Sequence, residues 1–199
     1  MHFKYYISVV LVIYRVLAFG QDKKTEAEFS KTCSEIVNAF AKKNIAGLNK
    51  YSNTNTGVYI ISRPGAVSVF TRIKKFDDKT FFALKYPYRD TTAIKKHTIT
   101  YASAPRFDCG DMKWDKMGFV ADSSAGYKPI TEIMDFREKY EHEKYTAEDV
   151  DKKNETEKRL RKVVYTHIAK NHGLVFYMSF IQGKWYLSII DITAGSCGV

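Results

Sequence analysis

The C-terminal stretch constrains the fold most. Residues 173–181 and 184–192 are two alternating apolar runs on either side of Gln182-Gly183. This pattern predicts a long β-hairpin, because successive strand side chains point to opposite faces and a Gly-containing pair suits a tight turn. With a two- or four-residue connection, partner numbers sum to 365, setting Leu174, Phe176, Met178 and Phe180 opposite Asp191, Ile189, Leu187 and Trp185. One face is then almost wholly apolar and must be covered. The other carries Tyr177, Ser179, Lys184, Tyr186 and Ser188, a mixed surface. A three-residue loop would slip the register and exchange the faces.

The preceding segments supply candidates for the cover. Thr25-Glu26-Ala27-Glu28 reads as a capping box and introduces apolar spacing at Phe29, Cys33, Ile36, Val37 and Phe40, which predicts a helix over about 26–43. A second short helix is expected over 44–51, with Ile45 and Leu48 as its apolar pair, and a strand over 57–62, ended by Pro64-Gly65. Ala66, Val69, Phe70, Ile73 and Phe76 recur at helical spacing and predict a third helix; 81–86 and 97–102 read as strands. Residues 104–126 look irregular. Pro129 stands where a first helical turn tolerates proline, and Ile130, Ile133, Met134, Phe136 and Tyr140 mark a helix that fades into the charged stretch 141–158, read as a solvated helix or excursion. A strand over 163–168 precedes the hairpin. Helices first and an antiparallel sheet last give an α+β class in one domain, 21–199, with 104–162 as an insertion or excursion within it.

The first twenty residues address the chain rather than build it. Lys4, an apolar run from Ile7 to Ile13 and Ala18-Phe19-Gly20 before Gln21 form a secretory signal peptide with an A-x-G cleavage site. Arg15 interrupts the run well short of the roughly 20 apolar residues a membrane span needs; retention as an uncleaved anchor is the alternative. Cleavage would leave 179 residues in an oxidising periplasmic or extracellular setting, with no membrane span. Net charge falls from +10 to +8 once Lys4 and Arg15 leave.

The excess is central. Residues 42–113 hold 14 Lys/Arg against five Asp, whereas 138–162 hold eight of each sign. Tyr59, Phe70, Phe76, Tyr86, Tyr88 and Tyr101 lie among those central charges, so a basic groove with aromatic platforms could grip an acidic polymer. The plainer reading is a solvated basic surface over a core of the same aromatics. It is preferred because no nucleic-acid motif accompanies the charge.

Three cysteines are present. Cys33 lies on the apolar stripe of the first predicted helix, where burial as a small hydrophobe explains it. Cys109 and Cys197 both sit in Gly-flanked turn contexts and are paired here as a disulfide. Closing that loop of 87 intervening residues is worth roughly 4 kcal/mol in the chain-entropy account. His97, His142, His167 and His172 are scattered, with no metal-ligand spacing. A nucleophile elbow, a phosphate loop and a dinucleotide fingerprint are likewise missing, so no metal or cofactor is implied.

Three passages carry a family resemblance: residues 29–51 with the step Phe40-Ala41-Lys42-Lys43-Asn44-Ile45, residues 57–65, and the hairpin 173–192. Together they resemble the opening helix pair, first strand and terminal hairpin of secreted bacterial proteins of the nuclear transport factor 2-like superfamily. The resemblance implies a curved, cone-like sheet cupping a helix. It also implies a pocket between sheet and helices, used elsewhere for catalysis, small-ligand binding or dimerisation.

A binding module for a small molecule or peptide is the leading functional expectation, with Phe176, Met178, Trp185 and Leu187 lining the pocket and a homodimer allowed. Asp191, charged on the hairpin's apolar face, is a candidate proton acceptor in an enzymatic alternative, since steroid-isomerising members of the superfamily use a pocket Asp. Capping of a backbone amide near the strand end is its other expected role.

Overall fold

A computed structural model describes residues 24–84, 98–122, 124, 126–167, 172–195 and 197. The expected signal peptide, Tyr86, Tyr88 and His97 lie outside the described residues. Helix α1 covers residues 24–41 and α2 Ile45–Lys50; strands β1 (Val58–Ser62) and β2 (Val69–Ile73) precede α3 (Asp78–Ala83). Short strands β3 (Thr100–Tyr101), β4 (Phe107–Asp108), β5 (Lys113–Trp114) and β6 (Phe119–Ala121) lead to α4 (Pro129–Glu141) and α5 (Ala147–Glu157). Strands β7 (Leu160–His167), β8 (His172–Ile181) and β9 (Lys184–Asp191) complete the order.

Among the described residues seven strands form one mixed, mostly antiparallel sheet in the order β2-β1-β9-β8-β7-β6-β3, and β4-β5 is a separate small hairpin. The β8–β9 turn is the two-residue Gln182-Gly183, with φ +48° and +82°; two positive values match the right-handed twist of the flanking strands. From that turn the pairs Ile181↔Lys184 to Met178↔Leu187 keep the sequence-derived register. One residue, Ser188, then bulges, so that Tyr177 meets Ile189 and Phe176 meets Ile190. The bulge exchanges the faces beyond it: Ile190 joins Leu187 and Trp185, while Ile189 joins Tyr177 on the other side.

Both faces are covered. On the first, Phe29, Cys33, Ile36 and Phe40 of α1 are completely buried in one cluster with Phe176, Met178, Trp185 and Leu187. Each such large apolar side chain contributes about 1.5–3 kcal/mol, far more than intrinsic helix propensity supplies. A polar clamp fixes α1 in place. Arg161 of β7 donates two hydrogen bonds to Glu26, at 2.8 and 2.6 Å, its guanidinium lies over the rings of Phe29 and Trp185, and the Trp185 indole donates to the Thr25 carbonyl. Residue 24 is already helical, so Thr25 is not the N-cap that the capping-box reading expected.

The second face corrects the mixed-surface reading. Tyr177, Ser179 and Ser188 are 4%, 0% and 0% exposed, because the chain between the short strands and β7 folds over them. Ile130, Ile133 and Met134 of α4 share a cluster with Tyr59, Ile61, Val164, Val175, Tyr177 and Ile189. The charged stretch is α5, capped by Thr146, whose hydroxyl and Asp149 form a reciprocal capping box; Ser179 donates to the Thr156 carbonyl. Buried Glu157 accepts from the Ile130 amide at 2.7 Å, the Thr131 amide at 3.2 Å and the Thr131 hydroxyl at 2.5 Å. It caps α4, whose own N-cap residue Lys128 makes no side-chain cap.

Two secondary-structure expectations are overturned. The third predicted helix is β2, paired antiparallel with β1 from Val58↔Ile73 to Ser62↔Val69. β-Branched Val69, Thr71 and Ile73 suit the strand, and the open edge of β1 supplies partners that periodicity does not reveal. The strand expected from Phe81 is instead α3, started by Asp77, whose carboxylate accepts from the Thr80 amide at 2.7 Å. The C-terminal pairing holds: Cys109 and Cys197 form a disulfide with Cα atoms 5.7 Å apart. Beside it Trp114 packs on Gly173, where a Cβ would meet its ring at 2.7 Å.

Candidate functional site

An open cleft of about 720 Å³ lies where β1, β2, α3 and the segment after β9 meet. Its position follows from the pleat. Ile60 and Ser62 of β1, and Thr71 and Ile73 of β2, point to the sheet face that α1 covers elsewhere, and α1 does not extend over these outer strands. Ala83 of α3 and its C-cap residue Leu84 form one wall and Ile192 another, while Arg63 and Lys79 contribute the cations. None of the described residues lining the cleft is acidic. Helix α3 is held by its Asp77 cap and by buried Phe81 and Leu84, and Phe76 is tied to α2 by reciprocal bonds with Asn49. The wall therefore rests on packed anchors.

The four side chains expected to line a pocket lie elsewhere. Phe176, Met178 and Leu187 are fully buried beneath α1 and Trp185 is 5% exposed. Trp185 borders a polar cavity of about 210 Å³ beside Arg161. The other three line neither that cavity nor the larger clefts. They belong to the core because the α1 stripe fills the space that the resemblance assigned to a pocket.

Asp191 falls beyond the Ser188 bulge and so leaves the face on which the register placed it. Its carboxylate accepts from the Thr193 amide at 2.9 Å and the Thr193 hydroxyl at 2.6 Å, closing the turn after β9. This is the amide-capping role the sequence allowed. Asp191 is not among the residues lining the cleft, although Thr193 is.

A second, polar cleft of about 420 Å³ gathers Arg106, Lys116, Lys162, Asp115, Asp122 and Tyr127. Its carboxylates are engaged. Asp115 accepts from the Arg106 amide, and Asp122 accepts from the Ala104 amide, the Ser124 amide and the Tyr127 hydroxyl at 2.6, 2.8 and 2.8 Å. Burial alone would raise the Asp122 pKa, but the bonds from Ser124, Ala104 and Tyr127 prevail and hold it down to about 2. A carboxylate so acidic is a poor proton acceptor near neutrality. Lys116 donates to Ser103, and Lys162 lies over the faces of Tyr127 and Tyr177. The cleft reads as a pinned junction of the excursion.

Of the aromatics expected as stacking platforms, Tyr59 and Phe76 are only 2% exposed and serve the core; Phe70 packs between Tyr59 and Tyr145, and Tyr101 is exposed. Cys33 is buried, and desolvation pushes its thiol pKa well up, which suppresses the thiolate. Among the described residues no group of three or more His, Cys, Asp or Glu gathers to hold a metal ion, and no helix is long and apolar enough to cross a membrane.

Little in the sequence points to the cleft, because the residues of β2 fit a helical spacing and the run from Phe81 fits a strand. The one available signal was Asp77-Asp78-Lys79-Thr80, a helix-start pattern. No family model, curated protein or solved structure matches this chain. Its functional reading rests on the geometry above.

Proposed function

We propose that this protein is an exported, non-enzymatic binding module of nuclear transport factor 2-like build, with a cone-like sheet, and that its pocket is the cleft between β1–β2 and α3. The observation that carries the reading is the cleft itself. Its volume of about 720 Å³ falls within the range of small-ligand sites, and its walls combine Ile60, Ile73, Ala83, Leu84 and Ile192 with a few polar groups. Burying an apolar ligand there gives roughly 25 cal/mol per Å² of apolar surface, less the cost of immobilising it. The disulfide fits an oxidising destination.

The test is titration of the purified protein with the neutral fluorophore N-phenyl-1-naphthylamine, which brightens in apolar surroundings. Saturable binding at one site is expected. Thr71→Trp and Ala83→Trp, both at exposed positions of the cleft, fill it and should abolish the signal while leaving the circular dichroism spectrum unchanged. Absence of saturable binding, or equal binding by both filled variants, would overturn the proposal.

A further inference from the structure

Resting on that reading of the cleft, we infer that its ligand is an anionic amphiphile: an apolar body lying on Ile60, Ile73 and Leu84, with one negatively charged head held between Arg63 and Lys79. The charge census of the lining carries the argument. Among the described residues that line it two are cationic and none is acidic, so the positive charge of the cleft comes from its own lining rather than from a neighbouring patch. Among the described residues neither cation forms a salt bridge. Among the described residues the one hydrogen bond of the Arg63 side chain is from its Nε–H to the Ser68 hydroxyl at 3.4 Å, and both terminal nitrogens keep their donors. Of the two carboxylates that precede Lys79 in sequence, Asp77 is committed to the Thr80 amide as the cap of α3, and Asp78, in the first turn of that helix, neither lines the cleft nor forms a salt bridge with Lys79 among the described residues.

The two cations come from different elements. Arg63 follows the end of β1, and Lys79 stands in the first turn of α3, so they flank the cleft from two sides. Both residues are exposed, which lets a charged head stay partly hydrated while its tail is withdrawn from water. Hydroxyls of Ser62 and Thr71 also line the cleft and add neutral donors and acceptors beside the apolar floor. The basic excess of residues 42–113, which contain most of the lining, favours the approach of anions over cations. A neutral apolar ligand would leave both cations unused, and a cationic one would be repelled.

Competition against bound N-phenyl-1-naphthylamine tests this with three ligands of equal chain length: decanoate, decan-1-ol and decyltrimethylammonium. For the native protein decanoate is expected to compete about tenfold better than decan-1-ol, and decyltrimethylammonium least well. In the Arg63→Gln/Lys79→Gln double variant the preference for decanoate over decan-1-ol should fall to about onefold, both ligands being read against that variant's own fluorophore affinity. Raising salt should shrink the native preference, because the head group is exposed. Fluorophore binding combined with equal or better competition by decan-1-ol, or a preference that survives the double substitution, would overturn the inference alone. Failure of the fluorophore and of all three ligands to bind the native protein would overturn the cleft reading beneath it.

Discussion

Asp122→Asn isolates the carboxylate that ties Ala104, at the start of the excursion, to Ser124 and Tyr127. Asp122 is 4% exposed and receives three hydrogen bonds, two on Oδ2 and one on Oδ1. An asparagine has one acceptor oxygen, so it serves either the Ala104 and Tyr127 side or the Ser124 side, and its NH₂ faces a donor on the other. The folded pKa is lowered from 3.8 to about 2, so the ionised form contributes stability that is complete above the unfolded value and is lost as pH falls through the folded one. Linkage makes that contribution roughly 2 kcal/mol at pH 7 and about half as much at pH 3. Urea unfolding followed by circular dichroism should find the variant roughly 2–3 kcal/mol less stable at pH 7, with the gap narrowing by about 1 kcal/mol at pH 3. A gap that is the same at both pH values would refute the reasoning, since it would mean that the charge of Asp122 plays no part.

Glu157→Ala removes the carboxylate that caps α4 and leaves the buried Ile130 amide without a partner; a loss of about 3 kcal/mol is expected in the same urea assay, against about 1 kcal/mol for Glu157→Gln. Gly173→Ala drives a methyl into the Trp114 ring, 2.7 Å from the nearest atom, and should cost about 2 kcal/mol, with relief when Trp114→Leu is added. Reduction of Cys109–Cys197 should lower stability by roughly 4 kcal/mol and release two titratable thiols; free thiols in the native protein would refute the bridge.

The sequence was most legible where local and tertiary signals agreed. Gln182-Gly183 set the turn, and the register held through Met178↔Leu187 because nothing intervened. It failed at Ser188, since the bulge also accommodates the parallel pairing of β9 with β1 and the Ser52↔Leu187 bridge, which come from chain more than a hundred residues away. That single extra residue moved Asp191 off the α1-facing side. The segment 66–76 misled for a related reason: Val69, Phe70 and Ile73 fit a helical stripe, and only pairing with β1 shows them as a strand. The hairpin's apolar face gives no local sign of how completely Phe29, Ile36 and Phe40 fill the space against it. The cleft was the least legible feature, because its lining comes from β1, β2, α3 and the chain after β9, and no local motif links them.

The most direct test of the central claim is to map a bound ligand on the protein by amide chemical-shift changes during titration with decanoate. The account predicts saturable shifts concentrated at Ile60, Ser62, Thr71, Ile73, Ala83, Leu84 and Ile192, with Phe176, Met178 and Leu187 unmoved. Shifts centred on those three hairpin residues and on α1, with the cleft unmoved, would contradict it.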